Sequence, residues 1–150
     1  MRMRKGFTLI ELLIVLAIIA ALMAVVTPIA LNAVRKAKVT NVAENLRNIK
    51  SAVESYVYTE QVNNPNDIAV ATLTSHGYLA NLDTTKFDVA ASGESNSIIV
   101  FAYYKNTDIP VDDLAAVLPG ATETEELPDD FDGAPSENYP GLLFEVEKWY

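Results

Sequence analysis

Residues 7–31 read FTLIELLIVLAIIAALMAVVTPIAL, twenty-five residues whose only charge is Glu11 and whose only other polar side chains are Thr8 and Thr27. As a helix rising about 1.5 Å per residue this run reaches about 37 Å, against a bilayer hydrocarbon thickness of about 30 Å. It is therefore long enough to cross a membrane. Met1-Arg2-Met3-Arg4-Lys5-Gly6 precedes it, short and basic as cytoplasmic flanks are, and Arg35, Lys36 and Lys38 follow it. A secretory signal peptide would show a shorter apolar region and an Ala-x-Ala cleavage site, and neither is present between Phe7 and Asn32.

The remainder of the chain bounds the class. Of 150 residues, 50% are apolar and 21% charged, which fits one domain plus one membrane segment. The formal net charge of −9 is unevenly spread, because residues 1–50 hold eight basic and two acidic groups while residues 51–150 hold three and eighteen. So acidic a C-terminal part repels phosphate backbones, and no direct nucleic-acid binding is expected. The absence of Cys excludes thiolate catalysis, thiolate-ligated zinc and disulfide staples. His76 is the only histidine, so a catalytic triad would have to use it. Beside Gly77 it reads as a helix-end residue. No glycine-rich phosphate loop is present, so the chain is no nucleotide-driven motor.

Glu11 is the feature that a plain single-pass anchor does not explain. A carboxylate at the centre of a membrane helix costs on the order of 2.5–3.5 kcal/mol, and less near an end. It becomes intelligible when a cation from another chain reaches the same depth, since an unpaired carboxylate in low dielectric is penalised.

The string Lys5-Gly6-Phe7-Thr8-Leu9-Ile10-Glu11 resembles the type IV prepilin signature, in which a short basic leader ending in Gly is followed by Phe and, four residues on, by Glu. The resemblance implies cleavage between Gly6 and Phe7 by a prepilin peptidase, N-methylation of Phe7, and pairing of the new α-amino group of one subunit with Glu11 of its neighbour. It also implies a helical homopolymer, a pilus assembly platform with its ATPase machinery, and storage in the inner membrane with the N-terminus cytoplasmic before export. No enzymatic activity and no cofactor are expected. The same resemblance admits a pseudopilin of type II secretion or a minor or competence pilin. Residues alone leave the uncleaved anchor open, and leave open that Gly6 is merely small and Thr8 a helix-start hydroxyl meeting a free backbone N–H.

Pro28 removes one helical hydrogen bond and clashes with the preceding turn, which predicts a kink or a melted turn there. Similar pilins carry a proline at this place and some lose helicity around it on assembly, so the resemblance implies Ala20 to Pro28 as a segment able to extend, with a static kink as the alternative. Beyond Arg35, Val39, Val42, Leu46, Ile49, Val53 and Tyr56 recur at alternating spacings of three and four, while Asn41, Glu44, Asn48, Ser51 and Glu54 take the other side. This is an amphipathic helix stripe. Asn63-Asn64-Pro65-Asn66 stops it. Asp67 is placed to cap a short helix reaching His76.

Strands are expected over Lys86–Ala90, Ser97–Tyr104 and Gly141–Tyr150, the first two joined through Gly93-Glu94-Ser95-Asn96. A short helix is expected between Ile109 and Pro119, capped by Asp112 or Asp113. The fold class is α+β: a long N-terminal helix, transmembrane then amphipathic, packed on a small antiparallel β-sheet head. The divisions are 1–6 leader, 7–31 transmembrane and filament-core helix, 32–62 amphipathic helix and 63–150 head. Residues 122–138, TETEELPDDFDGAPSEN, hold seven carboxylates, no basic group and two prolines, and are expected to be a solvated loop. Some disulfide-free filament subunits of the family hold calcium here, which brings forward Asp129, Asp130, Asp132 and Glu137. An EF-hand register would put Pro128 first and Tyr139 last, where carboxylates are needed, so no metal is assigned. Phe101, Tyr103, Tyr104, Phe144 and Trp149 are expected to be sheet core with exposed edges.

Overall fold

The computed structural model describes residues 6–80, 82–93, 96–128, 131 and 133–149. The basic segment Met1–Lys5 lies outside them, as do Asn81, Glu94, Ser95, Asp129, Asp130, Asp132 and Tyr150. The chain divides into two compact units, Met1–Lys38 and Val39–Tyr150.

In the first unit, helix α1 (Leu9–Glu60) begins, and every described residue there is exposed. Pro28 lies inside α1, whose helical assignment is unbroken across it, so no melted turn is present in the single chain. Proline deletes only one N–H from a long ladder, and the adjacent Thr27 Oγ1 donates to the Met23 carbonyl at 2.7 Å, a back-bond that bends helices without breaking them.

In the second unit α1 buries the predicted stripe, extended by Ala43, Ala52 and Val57. These side chains pack under Phe87, Val89, Ile98, Val100, Ala102, Tyr104, Leu142, Phe144 and Val146 to form the main core. The helix ends at Glu60, ahead of the Asn-Asn-Pro stop. Gln61 adopts φ 53, and the Val62 N–H returns to the Val57 carbonyl at 3.3 Å. A left-handed residue followed by that long back-bond closes the helix.

Asp67 sits in a 3-10 turn (Pro65–Asp67) that Asn64 caps, rather than capping the next helix. Helix α2 (Val70–Ser75) starts at Ala69 without a side-chain cap and is shorter than expected. Its far end does follow the sequence. Gly77 takes φ 78 and the Tyr78 N–H bonds to the Leu73 carbonyl at 2.9 Å.

Strands β1 (Phe87–Gly93), β2 (Ser97–Tyr104), β3 (Ala121–Glu123) and β4 (Pro140–Glu147) form one antiparallel sheet in the order β1-β2-β4-β3. Gly93 pairs with Ile98 across the expected hairpin, and Phe101 pairs with Leu143 across β2 and β4. The C-terminal strand is thus interior to the sheet, and β3 was not expected. Helix α3 (Val111–Ala115) begins at Pro110, which offers no side-chain cap; Asp112 and Asp113 fall in its first turn, where their charge opposes the positive helix end.

Residues 122–138 are not simply a solvated loop. They contribute part of β3, a 3-10 turn (Thr124–Glu126), and the buried Phe131. Phe131 forms a second core with Ala90 and Phe101 on the other face of the sheet, flanked by Ile99, Tyr103, Leu127 and Leu143. The reason is visible in β2, which is apolar on both faces and so needs cover on both.

Candidate functional site

The candidate site is the start of α1, and its geometry follows from four residues. Gly6, Phe7 and Thr8 precede the helix without regular structure, with Phe7 87% exposed. Among the described residues, and apart from its chain neighbours, nothing lies within 4 Å of where a Gly6 Cβ would be. The Leu12 N–H bonds to the Thr8 carbonyl at 3.3 Å, which makes Thr8 the residue that caps the helix.

Glu11, three residues on, closes the cap. The Thr8 backbone N–H donates to Glu11 Oε2 at 2.8 Å, the Thr8 hydroxyl donates to the same oxygen at 2.7 Å, and the Glu11 N–H reaches Thr8 Oγ1 at 3.4 Å. This reciprocal arrangement is a capping box. Thr8 was singled out as a helix-start hydroxyl, but Glu11 as its partner was missed. The pattern Thr-x-x-Glu ahead of an apolar run was the available signal. Both donors from Thr8 meet Glu11 at the same oxygen, Oε2.

From Leu9 to Val34 the large apolar side chains are between 46% and 77% exposed, and α1 is long and apolar enough to cross a membrane. Pro28 lies well along α1 and takes no part in the cap.

The other candidates resolve individually. His76 ends α2, with Nδ1 3.0 Å from the Thr72 carbonyl and its ring 5.6 Å from that of Tyr56. Among the described residues no group of three or more His, Cys, Asp or Glu is placed to hold a metal ion. Asp129, Asp130 and Asp132 lie outside those residues, and Glu137 accepts the Tyr139 hydroxyl. Phe101, Tyr104 and Phe144 are buried, whereas Trp149, beyond the end of β4, is 77% exposed. Tyr103 stacks between Phe101 and Tyr139, with centroids 5.5 Å from each. Burial, then the nearby Asp88, pushes its hydroxyl up to about 12. On the surface, hydrogen bonds from Lys86 and then Thr85 hold Asp83 down at about 2.

Comparison with known proteins matches this end of the chain to a family motif and the chain to two relatives. Residues 1–27 match the prokaryotic N-terminal methylation motif. The chain is 48% identical over 52 residues to the fimbrial protein EcpB of Eikenella corrodens, a match covering 35% of this chain and 33% of that protein. It is 40% identical over 99 residues to PilA4 of Thermus thermophilus, described as a type IV wide pilus major component, covering 66% of this chain and 74% of that protein. The chain thus spans about a third of the first relative and about three quarters of the second. No solved structure matches.

Proposed function

Because the chain belongs to the type IV pilin family, we propose that it is the repeating structural subunit of a type IV pilus, stored as a membrane-anchored precursor and polymerised through α1. The observation that carries this reading is the exposed apolar surface of α1, with one carboxylate fixed at its first turn. Such a surface needs lipid or other copies of itself.

A prepilin peptidase then cuts between Gly6 and Phe7, from the cytoplasmic face of the inner membrane. The exposed Gly6 and Phe7, which lie ahead of the helix outside regular structure, support this, since a peptidase must seat extended backbone. Cleavage there leaves the Phe7–Thr8 peptide intact, so the cap on Glu11 survives processing. It also creates an α-amino group on Phe7, which is N-methylated and keeps its charge.

On assembly, the Phe7 ammonium of one subunit meets Glu11 of the next. Lipid is as apolar as the helices that replace it, so exchanging one for the other brings little hydrophobic gain, and close packing and polar pairing must select the polymer. Two opposite charges joined in low dielectric attract strongly, and either one left alone is costly, so a subunit out of register is disfavoured. Thr8 contributes by holding the carboxylate in one rotamer before the partner arrives. The assembly platform and its ATPase supply the work of extraction, which this chain does not perform. Pro28 provides a site where α1 can extend as it packs.

The test is electron microscopy of fibres sheared from the cell surface, with identification of their subunit by mass. Fibres built of this chain, lost on its deletion, are the expected result. Intact surface fibres together with a loss of exoprotein secretion would assign the chain to a secretion pseudopilus instead.

A further inference from the structure

Between Glu11 and Arg35 stand twenty-three residues without a charge, all within α1 and all exposed. At about 1.5 Å per residue that interval is about 34 Å, close to the roughly 30 Å of bilayer hydrocarbon. The charges at its two ends are of opposite sign and differ in number. At one end is a single carboxylate held by its cap; at the other are Arg35, Lys36 and Lys38 within four residues.

We propose that Arg35, Lys36 and Lys38 form a collar that docks on anionic lipid headgroups at the C-terminal end of the apolar run, and that this contact sets the depth at which the precursor is stored. The inference rests on the membrane-stored precursor described above. With the collar at one headgroup layer, the length of the interval brings Glu11 and its cap to the opposite layer rather than into hydrocarbon. The Gly6–Phe7 bond then lies about 7 Å further out, at water.

Three features support a lipid surface. The cations follow the last apolar residues directly, with Leu31 65% and Val34 68% exposed. At about 100° per residue, positions 35, 36 and 38 occupy roughly 160° of the helix circumference, so one side presents all three to a plane of phosphates. Long basic side chains at this place reach the interface while their stems stay apolar. Arg2, Arg4 and Lys5 flank the other end of the apolar run, and a collar fixing the far end as well limits the tilt and sliding open to a run that continues through Phe7 to Ile10. Sliding towards the collar side would draw Glu11 into hydrocarbon.

The chain has no Cys, so Leu13→Cys reports the depth of the N-terminal end by its reaction with a membrane-impermeant maleimide. The measurement uses the full chain in nanodiscs of phosphatidylethanolamine and phosphatidylglycerol, with and without Leu-Ala-Leu-Ala inserted after Val34. An anchored collar makes the insertion push the N-terminal end outward by up to about 6 Å, and labelling should accelerate severalfold. Combining Arg35→Gln, Lys36→Gln and Lys38→Gln with the insertion should return labelling to the original rate, as should discs of phosphatidylcholine alone. An insertion without effect, or one equally effective with the collar neutralised, overturns the proposal. So does an effect that requires two copies per disc rather than anionic lipid, which would make a second copy the collar's partner. Failure to enter discs at all would instead refute the membrane-stored precursor.

Discussion

Both hydrogen bonds that Thr8 donates to Glu11 fall on one carboxylate oxygen, Oε2, at 2.8 Å from the backbone N–H and 2.7 Å from the hydroxyl. The carboxylate therefore has one task seen in the structure, closing the helix start, and a second under the proposed assembly, meeting the ammonium of a neighbouring subunit.

The two tasks separate by mutation. Glu11→Gln keeps an acceptor for the Thr8 N–H and should leave α1 starting at Leu9, yet it lacks the charge and should lose filaments. Glu11→Ala should lose both, while membrane insertion and leader cleavage continue. Counting surface fibres and assaying cleavage on each variant checks this. Normal piliation of Glu11→Gln would show that charge is not what selects the neighbour.

Thr8→Ala removes the hydroxyl from both of its bonds, and loss of such a cap costs about 1 kcal/mol. Amide exchange at the first turn of α1, read in detergent micelles, should quicken by about fivefold at Leu9 to Leu12, since about 1.4 kcal/mol corresponds to tenfold. Thr8→Ser should restore the original rate.

Gly141 is required by contact. A Cβ there would stand 2.5 Å from the Ala102 carbonyl oxygen and 2.6 Å from the Phe101 ring, which lies across the strand. Gly141 pairs with Tyr103 on β2 and Thr122 on β3, so neither neighbour can withdraw without breaking the sheet. Gly141→Ala should cost about 2–3 kcal/mol, as overpacking does. A thermal midpoint of the full-length chain unchanged from the original would contradict the close approach.

Phe131→Ala should open the outer core. A buried Phe truncated to Ala typically costs about 3–5 kcal/mol, and this one sits at the low end because its core is small. Limited proteolysis should cut between Thr124 and Asn138 while the β1-β2-β4 pairing persists. Cutting elsewhere first would place the weak point in another element.

Tyr103 makes a prediction in alkali. Its folded pKa is raised to about 12, mainly by burial, above an unfolded value of about 10. The neutral hydroxyl is favoured in the folded state, so its contribution is complete below about pH 10 and is lost as pH rises toward 12. Tyr103→Phe should flatten the fall of stability across that window and remove one late phenol from the ultraviolet titration.

The main core was legible because α1 repeats its apolar residues at helical spacing through Tyr56, and each of those side chains is buried. The strands of β1, β2 and β4 were legible from their β-branched and aromatic content. Residues 122–138 were misread for an identifiable reason. Their carboxylates dominate the composition, while Leu127 and Phe131 on either side of Pro128 are the residues that pack. The three-residue β3 falls below the length at which alternation can be recognised. At the site, Glu11 stood out by its charge, and that long-range reading hid the local one with Thr8. Asp67 and Asp112 looked like caps because their residue type suits the role, but a 3-10 turn and Pro110 took those positions instead.

Mass analysis of the N-terminal peptide from subunits of purified fibres tests the central claim most directly. The account predicts a chain that starts at Phe7 and is one methyl group heavier than the bare sequence, leaving a charged amine to meet Glu11. Fibres whose subunits still carry Gly6 joined to Phe7 would have no such amine, and would contradict it.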